Sequence, residues 1–380
     1  MHDHLLTDEQ RMIRQAVREF AEEEVRPRAA EIDETDEFPR DLYQKMADLG
    51  WFGLVLPPEG GGGGGDTYSA SLVHQELGRV SAALANMYAV AIEQADFFWT
   101  LGSDAQRPLA LRVASGAAIS CLAVTESHTG SDVAAIRTTA VRDGDHYVIN
   151  GSKAFVTLGK VVDLLVILAF TDRAKGKRGM SLLIVERGTP GYSFGRKERL
   201  MGIRGLATGE VFLENVRVPV ANRVGPEGEG LRVALNGFNF ARICMASMAT
   251  GLTQGAYEEA LRYARQRKAF GQAIYDFQAV QFMLADMWVD VQAAQGLLWQ
   301  ASRLRDAGLP YMAEAAAAKL FASDMAVRNI SNAVQIHGGA GYTKDYPVER
   351  MYRDAKLTQI YEGTNQIQRL IIARQIASAR

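Results

Sequence analysis

The chain carries 380 residues, 48% hydrophobic and 23% charged, which suits an ordinary globular protein with room for two or three domains. Its 42 Lys and Arg against 44 Asp and Glu leave a formal net charge of -2, which argues against a nucleic-acid surface. Cys121 and Cys244, the only two cysteines, allow neither a disulfide framework nor a cysteine-rich metal site, and a reducing compartment fits them best.

The stretch from Met1 to Leu6 shows no basic leader ahead of a long apolar run, and the most apolar segment, Val161 to Phe170, is short and carries Asp163. A cytoplasmic chain is expected, neither secreted by a standard signal nor membrane-spanning. His2 and His4 have the chemistry to chelate, but on a frayed terminus they read as incidental, and no metal is expected.

From Thr7 a helix is predicted. Thr7 with Gln10 makes a capping box, and Met12, Ile13, Ala16, Val17, Phe20 and Val25 share one face. Pro27 is expected to end it. Helical patterns recur over 41–49, 69–77 and 82–101. Pro57-Pro58-Glu59 leads into six glycines, Gly60 to Gly65, and Asp66. A phosphate-binding loop needs a lysine and a Ser or Thr opening a helix, and this run has neither, so a flexible connection is expected.

Short β-rich runs follow over 119–124, 147–150, 154–157, 164–170, 181–185 and 210–213, separated by turn signals such as Asp143-Gly144-Asp145 and Asn150-Gly151. After Pro219 and Gly225 helical patterns return over 231–267, 278–307, 311–337 and from 346 onward, and the run from Ala313 to Ala318 suits a core or subunit-contact face. The expected fold class is α+β: a helical domain over 1–119, a central antiparallel β domain over 120–222 and a helical domain over 223–380. No internal repeat is present.

The stretch Gln359 to Gln368 concentrates the chemistry. Glu362 follows two apolar residues, precedes Gly363 and sits ahead of a segment whose Ile367, Leu370, Ile371 and Ile376 fit helical spacing. A carboxylate on a glycine hinge beside apolar neighbours can swing and have its pKa raised by desolvation, as a general base for a weakly acidic C–H requires. Equally, Glu362 can simply complement the positive end of the next helix, with Asn365 and Gln368 as a capping pair. Spacing alone leaves both readings open.

That stretch, with Gln335-Ile336-His337-Gly338-Gly339-Ala340-Gly341-Tyr342, Arg265-Gln266-Arg267-Lys268-Ala269-Phe270-Gly271 and Thr125-Glu126-Ser127-His128-Thr129-Gly130-Ser131-Asp132, resembles the acyl-CoA dehydrogenase family over nearly all of the chain. The resemblance implies a C-terminal four-helix bundle and FAD between the β domain and the C-terminal helices. Leu122, Val124, Thr125, Gly130 and Ser131 match a strand and turn on the isoalloxazine and diphosphate, and Phe155, Val156 and Thr157 match the segment packed against the ring. Arg267 and Phe270 match residues that reach the FAD of a neighbouring subunit, the guanidinium being suited to clamp a diphosphate. Gln278, Gln335, Gly338, Gly339, Thr364 and Gln366 match further FAD contacts. Ser131, Asn239, Arg242 and Gly363 match substrate contacts. Some family members carry the catalytic glutamate on the helix near Asn239; Ala241 stands there, which leaves Glu362 as the base.

The implied reaction is α,β-dehydrogenation of an acyl-CoA: Glu362 removes the α proton and the β hydrogen leaves as hydride to flavin N5. The implied partners are an electron-transferring flavoprotein and three further copies in a homotetramer, with no nucleic acid and no membrane. Chain length and branching depend on a pocket lined from regions such as Ala89 to Ala95 and Gly237 to Ala246. Ser127, His128 and Thr129 depart from the family's usual Pro and Ala; His128 reads as a solvent-facing loop residue, and His337 as a core histidine. The glycine run is longer than the family's turn and leaves room for a mobile loop at the active-site mouth. These departures keep two alternatives open, a substrate bound to an acyl-carrier protein and an oxygen-using oxidase. A third, a non-catalytic scaffold, is opposed by the intact Glu362. No glycine fingerprint follows a strand, so a nicotinamide cofactor is not expected.

Overall fold

A computed structural model describes residues 5–378, so the expectation for His2 and His4 lies outside the described residues. Helix α1 (Asp8–Phe20) opens on the capping box: Thr7 Oγ1 accepts the Gln10 N–H at 3.1 Å, and the Thr7 N–H donates to Gln10 Oε1 at 3.2 Å. Pro27 does not end the helical path. The chain winds on through a π turn (Ala21–Val25) and a 3-10 turn (Arg26–Arg28) into α2 (Ala29–Thr35), because proline at the start of a helical segment gives up only an N–H that has no intrahelical acceptor. The stop comes at Asp36, which takes the left-handed conformation.

Helices α3 (Arg40–Asp48), α4 (Thr67–Gly78) and α5 (Ala82–Leu101) follow, then α6 (Pro108–Ala114), too short at seven residues to show a period in the sequence. The glycine run between α3 and α4 is no flexible connection. The N–H groups of Gly63, Gly64 and Gly65 donate to the carbonyls of Gly53, Leu56 and Leu54 at 3.1, 2.8 and 2.8 Å, so the segment folds back on the turn before it. Any side chain at Gly62 would collide with Leu56, and that close backbone approach is what glycine supplies here. The loop borders a cleft of about 870 Å³ shared with Met12, Trp51 and Leu111, and Glu362 is not part of that lining.

Strands β1 (Ser120–Ala123), β2 (Thr139–Asp143), β3 (His146–Val156), β4 (Leu164–Phe170), β5 (Met180–Glu186), β6 (Tyr192–Lys197), β7 (Gly209–Pro219) and β8 (Arg223–Val224) form one sheet in the order β6-β7-β3-β2-β4-β5-β8, with β1 also on β4. Most pairings are antiparallel, but β1 and β2 both run parallel to β4, with Ser120 opposite Leu164 and Thr139 opposite Phe170. They lie end to end along one edge of β4, and the loop from Val124 to Thr138 interrupts them. Strand β4 is buried on both faces: Leu164, Val166, Leu168 and Phe170 meet Phe98, Val113 and Leu231 on the helical side, and Leu165, Ile167 and Ala169 meet Tyr147 and Val185 on the other. That is why it reads as an unbroken apolar run.

The last part holds α7 (Gly230–Gln266), a short hairpin of β9 (Lys268–Ala269) and β10 (Gln272–Ala273), α8 (Gln278–Asp306), α9 (Met312–His337), α10 (Val348–Thr358) and α11 (Asn365–Ser378). Helix α9 packs against α7, α8, α10 and α11, and α7 crosses α4 so closely that side chains at Gly251 and Gly255 would strike the carbonyls of Gln75 and Arg79. Among the described residues no helix is long and apolar enough to cross a membrane.

Helix α10 is tied to the β domain by Asp354, whose Oδ1 accepts the Ile203 N–H at 2.5 Å. Burial raises the Asp354 carboxyl to about 6, against the pull of the Ile203 N–H and Arg350. The folded state therefore holds this proton where the unfolded chain has lost it, and stability falls as pH rises from the ordinary value of 3.8 to about 6. Denaturant titrations across that range should show a loss of about 2–3 kcal/mol in the wild type relative to Asp354→Asn, which keeps the acceptor but cannot ionise. Parallel pH profiles for the two proteins would refute this.

Candidate active site

Helix α5 is the wall that the two halves of the site share. Its Gln94 accepts a hydrogen bond from Ser120 Oγ of β1 at 2.9 Å, and its Asn86 Nδ2 donates to the Tyr361 hydroxyl at 3.0 Å, next to Glu362. From Ala82 to Phe98 every residue of α5 is buried except Val90, Glu93 and Asp96, which form one stripe. Beyond it, Tyr361 Oη reaches Met248 Sδ of α7 at 3.7 Å.

Glu362 and Gly363 both adopt left-handed backbone conformations, with φ of 54° and 87°, and reverse the chain between α10 and α11. For a residue with a Cβ this conformation is strained, and neighbours must hold it. Gln368 Nε2 donates to the carbonyls of Glu362 and Gly363 at 3.1 and 2.8 Å; Lys319 Nζ, from α9, donates to the Gly363 carbonyl and to Asn365 Oδ1, both at 2.9 Å. The helix cap is Thr364, not Asn365: Thr364 Oγ1 accepts the Ile367 N–H at 3.3 Å, while the Asn365 amide turns inward to Ser323 and Asp324. Gln368 accordingly caps carbonyls instead of pairing with Asn365.

Glu362 retains some accessible surface, but its Oε2 has none and no hydrogen-bond partner among the described residues. Burial raises its pKa, opposed by the nearby charges of Arg242 and Lys319. A carboxyl so placed is poised to take a proton. Arg242 is buried on α7, donates to Asn239 Oδ1 at 2.5 Å and leaves Nε without a partner among the described residues. Ala241 is buried beside it and brings no acid.

On the sheet side the motif from Thr125 to Asp132 is the loop that interrupts the strand path along β4. The Thr125 carbonyl accepts the Ala154 N–H at 2.9 Å, which sets Thr125 beside Phe155 to Thr157 at the end of β3. Leu122, Thr125 and Thr157 are half-buried, Val124 and Val156 are buried, and Gly130 and Ser131 are exposed. Phe155 has φ of 54° and is 61% exposed. His128 lies on the exposed loop, with Nε2 3.1 Å from the Ala135 carbonyl.

Arg267, Phe270, Gln278, Gln335, Gly338 and Gly339 form a separate, exposed group. Tyr263 near the end of α7 stacks on the buried His337 at the end of α9, centroids 4.4 Å apart, bringing Arg267 and the glycines to one end of the bundle. Gln335 is sixteen residues along α9 from Lys319 (335 minus 319), about 24 Å at the helical rise. Gln366 is exposed and Thr364 half-buried at the Glu362 end.

Four residues that matter here were not singled out by sequence reasoning. Lys153 is fully buried and donates to the Val124 carbonyl at 3.1 Å and to Glu126 Oε1 at 3.0 Å. Glu126 also accepts the N–H groups of Arg137 and Thr138 at 2.6 and 3.0 Å, so this motif glutamate fixes the loop. Lys319 and Glu93 are the other two. A lysine inside a helical pattern ordinarily reads as solvated, and only the partners across the fold mark these as buried.

The chain belongs to the acyl-CoA dehydrogenase family, a family of oxidoreductases. The family's N-terminal, middle and C-terminal domain models match residues 7–116, 121–216 and 228–377. The chain is 45% identical over 376 residues to the acyl-CoA dehydrogenase, short-chain specific, of Clostridium acetobutylicum, covering 98% of this chain and 99% of that one. It superposes with a TM-score of 0.96 and 40% identity on a chain from the structural work on the electron transferring flavoprotein of Acidaminococcus fermentans, covering 98% and 99% of the two chains. The prolyl acyl carrier protein oxidase AnaB is similar with a TM-score of 0.94 and 32% identity, again over 98% and 99%.

Replacing Lys319 by Met removes two buried hydrogen bonds, leaving the Gly363 carbonyl to Gln368 alone and Asn365 Oδ1 to Ser323, and should lower stability by about 1–3 kcal/mol. Amide exchange across residues 363–368 should quicken in the same variant, and unchanged exchange there would show that Lys319 does not hold the turn.

Proposed function

We propose that the protein carries out FAD-dependent α,β-dehydrogenation of a short acyl thioester, with Glu362 as the base that removes the α proton. The observation that carries this reading is Glu362 Oε2, closed to solvent and without a protein partner among the described residues, on a strained turn facing α5 and α7. The likeness to a short-chain dehydrogenase supports an unextended acyl group on CoA.

The residues in front of the sheet fit a flavin. Leu122 offers an apolar surface with Val124 and Val156 buried nearby, Thr125, Ser131 and Thr157 offer hydroxyls, and Gly130 adds no bulk, with open space where its side chain would be. FAD, when bound, supplies the acceptor that takes the β hydrogen with its electron pair. Glu362 takes the α proton, and the electrons of that C–H bond become the new carbon–carbon double bond. The Glu362 N–H is the backbone donor assigned to the thioester carbonyl, which it polarises as negative charge develops. Asn239, Arg242 and Gly363 orient the thioester, with Arg242 also moderating the charge on Glu362.

Arg267, Phe270, Gln278, Gln335, Gly338 and Gly339 serve the adenine and diphosphate end of FAD, with Arg267 and Phe270 reaching a neighbouring copy. Phe270, 96% exposed at the hairpin tip, suits a partner surface, and so do Phe282, Trp288 and Trp299 on α8 in a homotetramer. Thr364 and Gln366 complete the cofactor set at the Glu362 turn. The likeness to a chain from the electron transferring flavoprotein work supports such a flavoprotein as electron acceptor. A second reading, a substrate presented on an acyl-carrier protein, draws support from the likeness to AnaB.

The test is an anaerobic titration of the purified flavoprotein with acyl-CoAs, read by its visible spectrum. One chain class should bleach the flavin, and Glu362→Gln should slow the bleaching by about 10²–10⁴-fold. Reduction by a carrier-loaded thioester alone would move the assignment to the second reading, and no reduction by either would reject the dehydrogenase. Because only ionised Glu362 accepts a proton and burial raises its pKa, the rate should rise with pH through an inflexion above the ordinary value of 4.5. An inflexion at or below that value would remove Glu362 as the base.

A further inference from the structure

Glu93 is a second acid in the space that Glu362 faces. Helices α5 and α7 pair antiparallel in layers: Asn86 and Met248 meet at the Tyr361 hydroxyl, Glu93 lies beside the Cys244 thiol, and Asp96 meets Arg305, whose guanidinium lies 4.0 Å over Phe240. Each layer steps forward along α5 and back along α7 by about a helical turn or two. Glu93 therefore stands between the Tyr361 layer and the Arg305 layer. With Val90 and Asp96 it is one of three residues on this stretch of α5 that keep accessible surface, so the stripe borders an opening.

The two acids of the stripe are treated differently. Asp96 is ion-paired with Arg305 at 2.9 Å, and Arg305 also donates to Thr67 Oγ1 at 2.8 Å. Glu93 has no lysine or arginine partner among the described residues, and its neighbour Cys244 offers only a weakly polar thiol. Burial first, and then repulsion from Glu362, holds its pKa well above the ordinary value. An acid left in such a place costs stability unless something it binds offsets the cost. Side chains on a helix lean toward its N-terminus, which turns Glu93 toward the Tyr361 and Glu362 layer. An acyl chain whose α carbon meets Glu362 has to pass this stripe.

We propose that Glu93 is a specificity-determining residue that receives a hydrogen-bond-donating substituent, a hydroxyl or an amine, on the acyl chain a few carbons beyond the thioester. This rests on the dehydrogenase reading of Glu362. Arg305 and Asp96 close the far end of the seam, and the substrate class is a short, polar acyl thioester instead of a plain hydrocarbon one.

The test compares 4-hydroxybutyryl-CoA with butyryl-CoA as reductants of the flavin in the purified holoenzyme, by kcat/KM, in wild type, Glu93→Leu and Glu93→Gln. The wild type should prefer the hydroxylated ester. Glu93→Leu should cut the ratio on the order of 10²-fold, by losing the hydroxy ester and gaining butyryl-CoA, while Glu93→Gln keeps a donor and acceptor and retains most of the preference. FAD content and the thermal midpoint report whether each variant has folded. A wild-type preference for butyryl-CoA, or a ratio unmoved by Glu93→Leu, overturns the role of Glu93 and leaves the dehydrogenase standing. No flavin reduction by any thioester, on CoA or on a carrier protein, overturns the dehydrogenase reading and this proposal with it.

Discussion

The constraint on which the rest depends is keeping one carboxyl, Glu362, out of water on a left-handed turn. Left-handed backbone at a residue with a Cβ costs on the order of 1–2 kcal/mol, and a buried unpaired carboxyl costs more. Neither cost can be met locally. The turn is held by Gln368 from the helix after it and by Lys319 from α9, and α9 in turn is fixed by the four helices around it. The long helices of the C-terminal part act as the frame that makes a strained six-residue segment the stable one.

Helix α5 extends that frame to the sheet. One end of its inner face binds Tyr361 and the other binds Ser120 of β1, so the distance between the Glu362 turn and the interrupted strand edge is set by a rigid rod of helix. The interruption follows from topology. β1 and β2 run the same way along β4, and the chain between them has to leave the sheet and return, placing the loop from Val124 to Thr138 between β3 and β4 in the middle of the sheet. The helical and sheet parts therefore carry different halves of the proposed site.

What was legible in the sequence was whatever repeats or caps locally. The capping box at Thr7, the span of α5, the doubly buried β4 and the long C-terminal helices follow from period and end signals, and the Glu362 stretch stood out by its hinge and apolar flanks. Pro27 and the glycine run were misread because their outcome depends on neighbours: a proline that opens a new turn and glycines that let two backbones touch look the same in sequence as a stop and a tether. Strand β2 is mostly exposed and β6 has no buried residue, and both lack an apolar run. The parallel pairing of β1 was hidden for a further reason, since direction is decided by where the chain re-enters the sheet.

Lys153 and Lys319 were invisible in the sequence, yet they do the same job on the two sides of the site. Each is withdrawn from solvent, each donates to a backbone carbonyl and to one side chain of a loop, and each is brought down to about 8, with burial outweighing the attraction of the nearby carboxylate. One pins the Val124 to Glu126 turn on the sheet and the other the Gly363 to Asn365 turn on the helices. A neutral amine still donates, so a lowered pKa does not undo either hold. With a pKa of about 8, Lys319 still carries most of its charge at neutral pH, which favours the Glu362 carboxylate against the pull of burial. The buried cations thus serve to position backbone, and the acids Glu362 and Glu93 are left free to face whatever enters between α5 and α7.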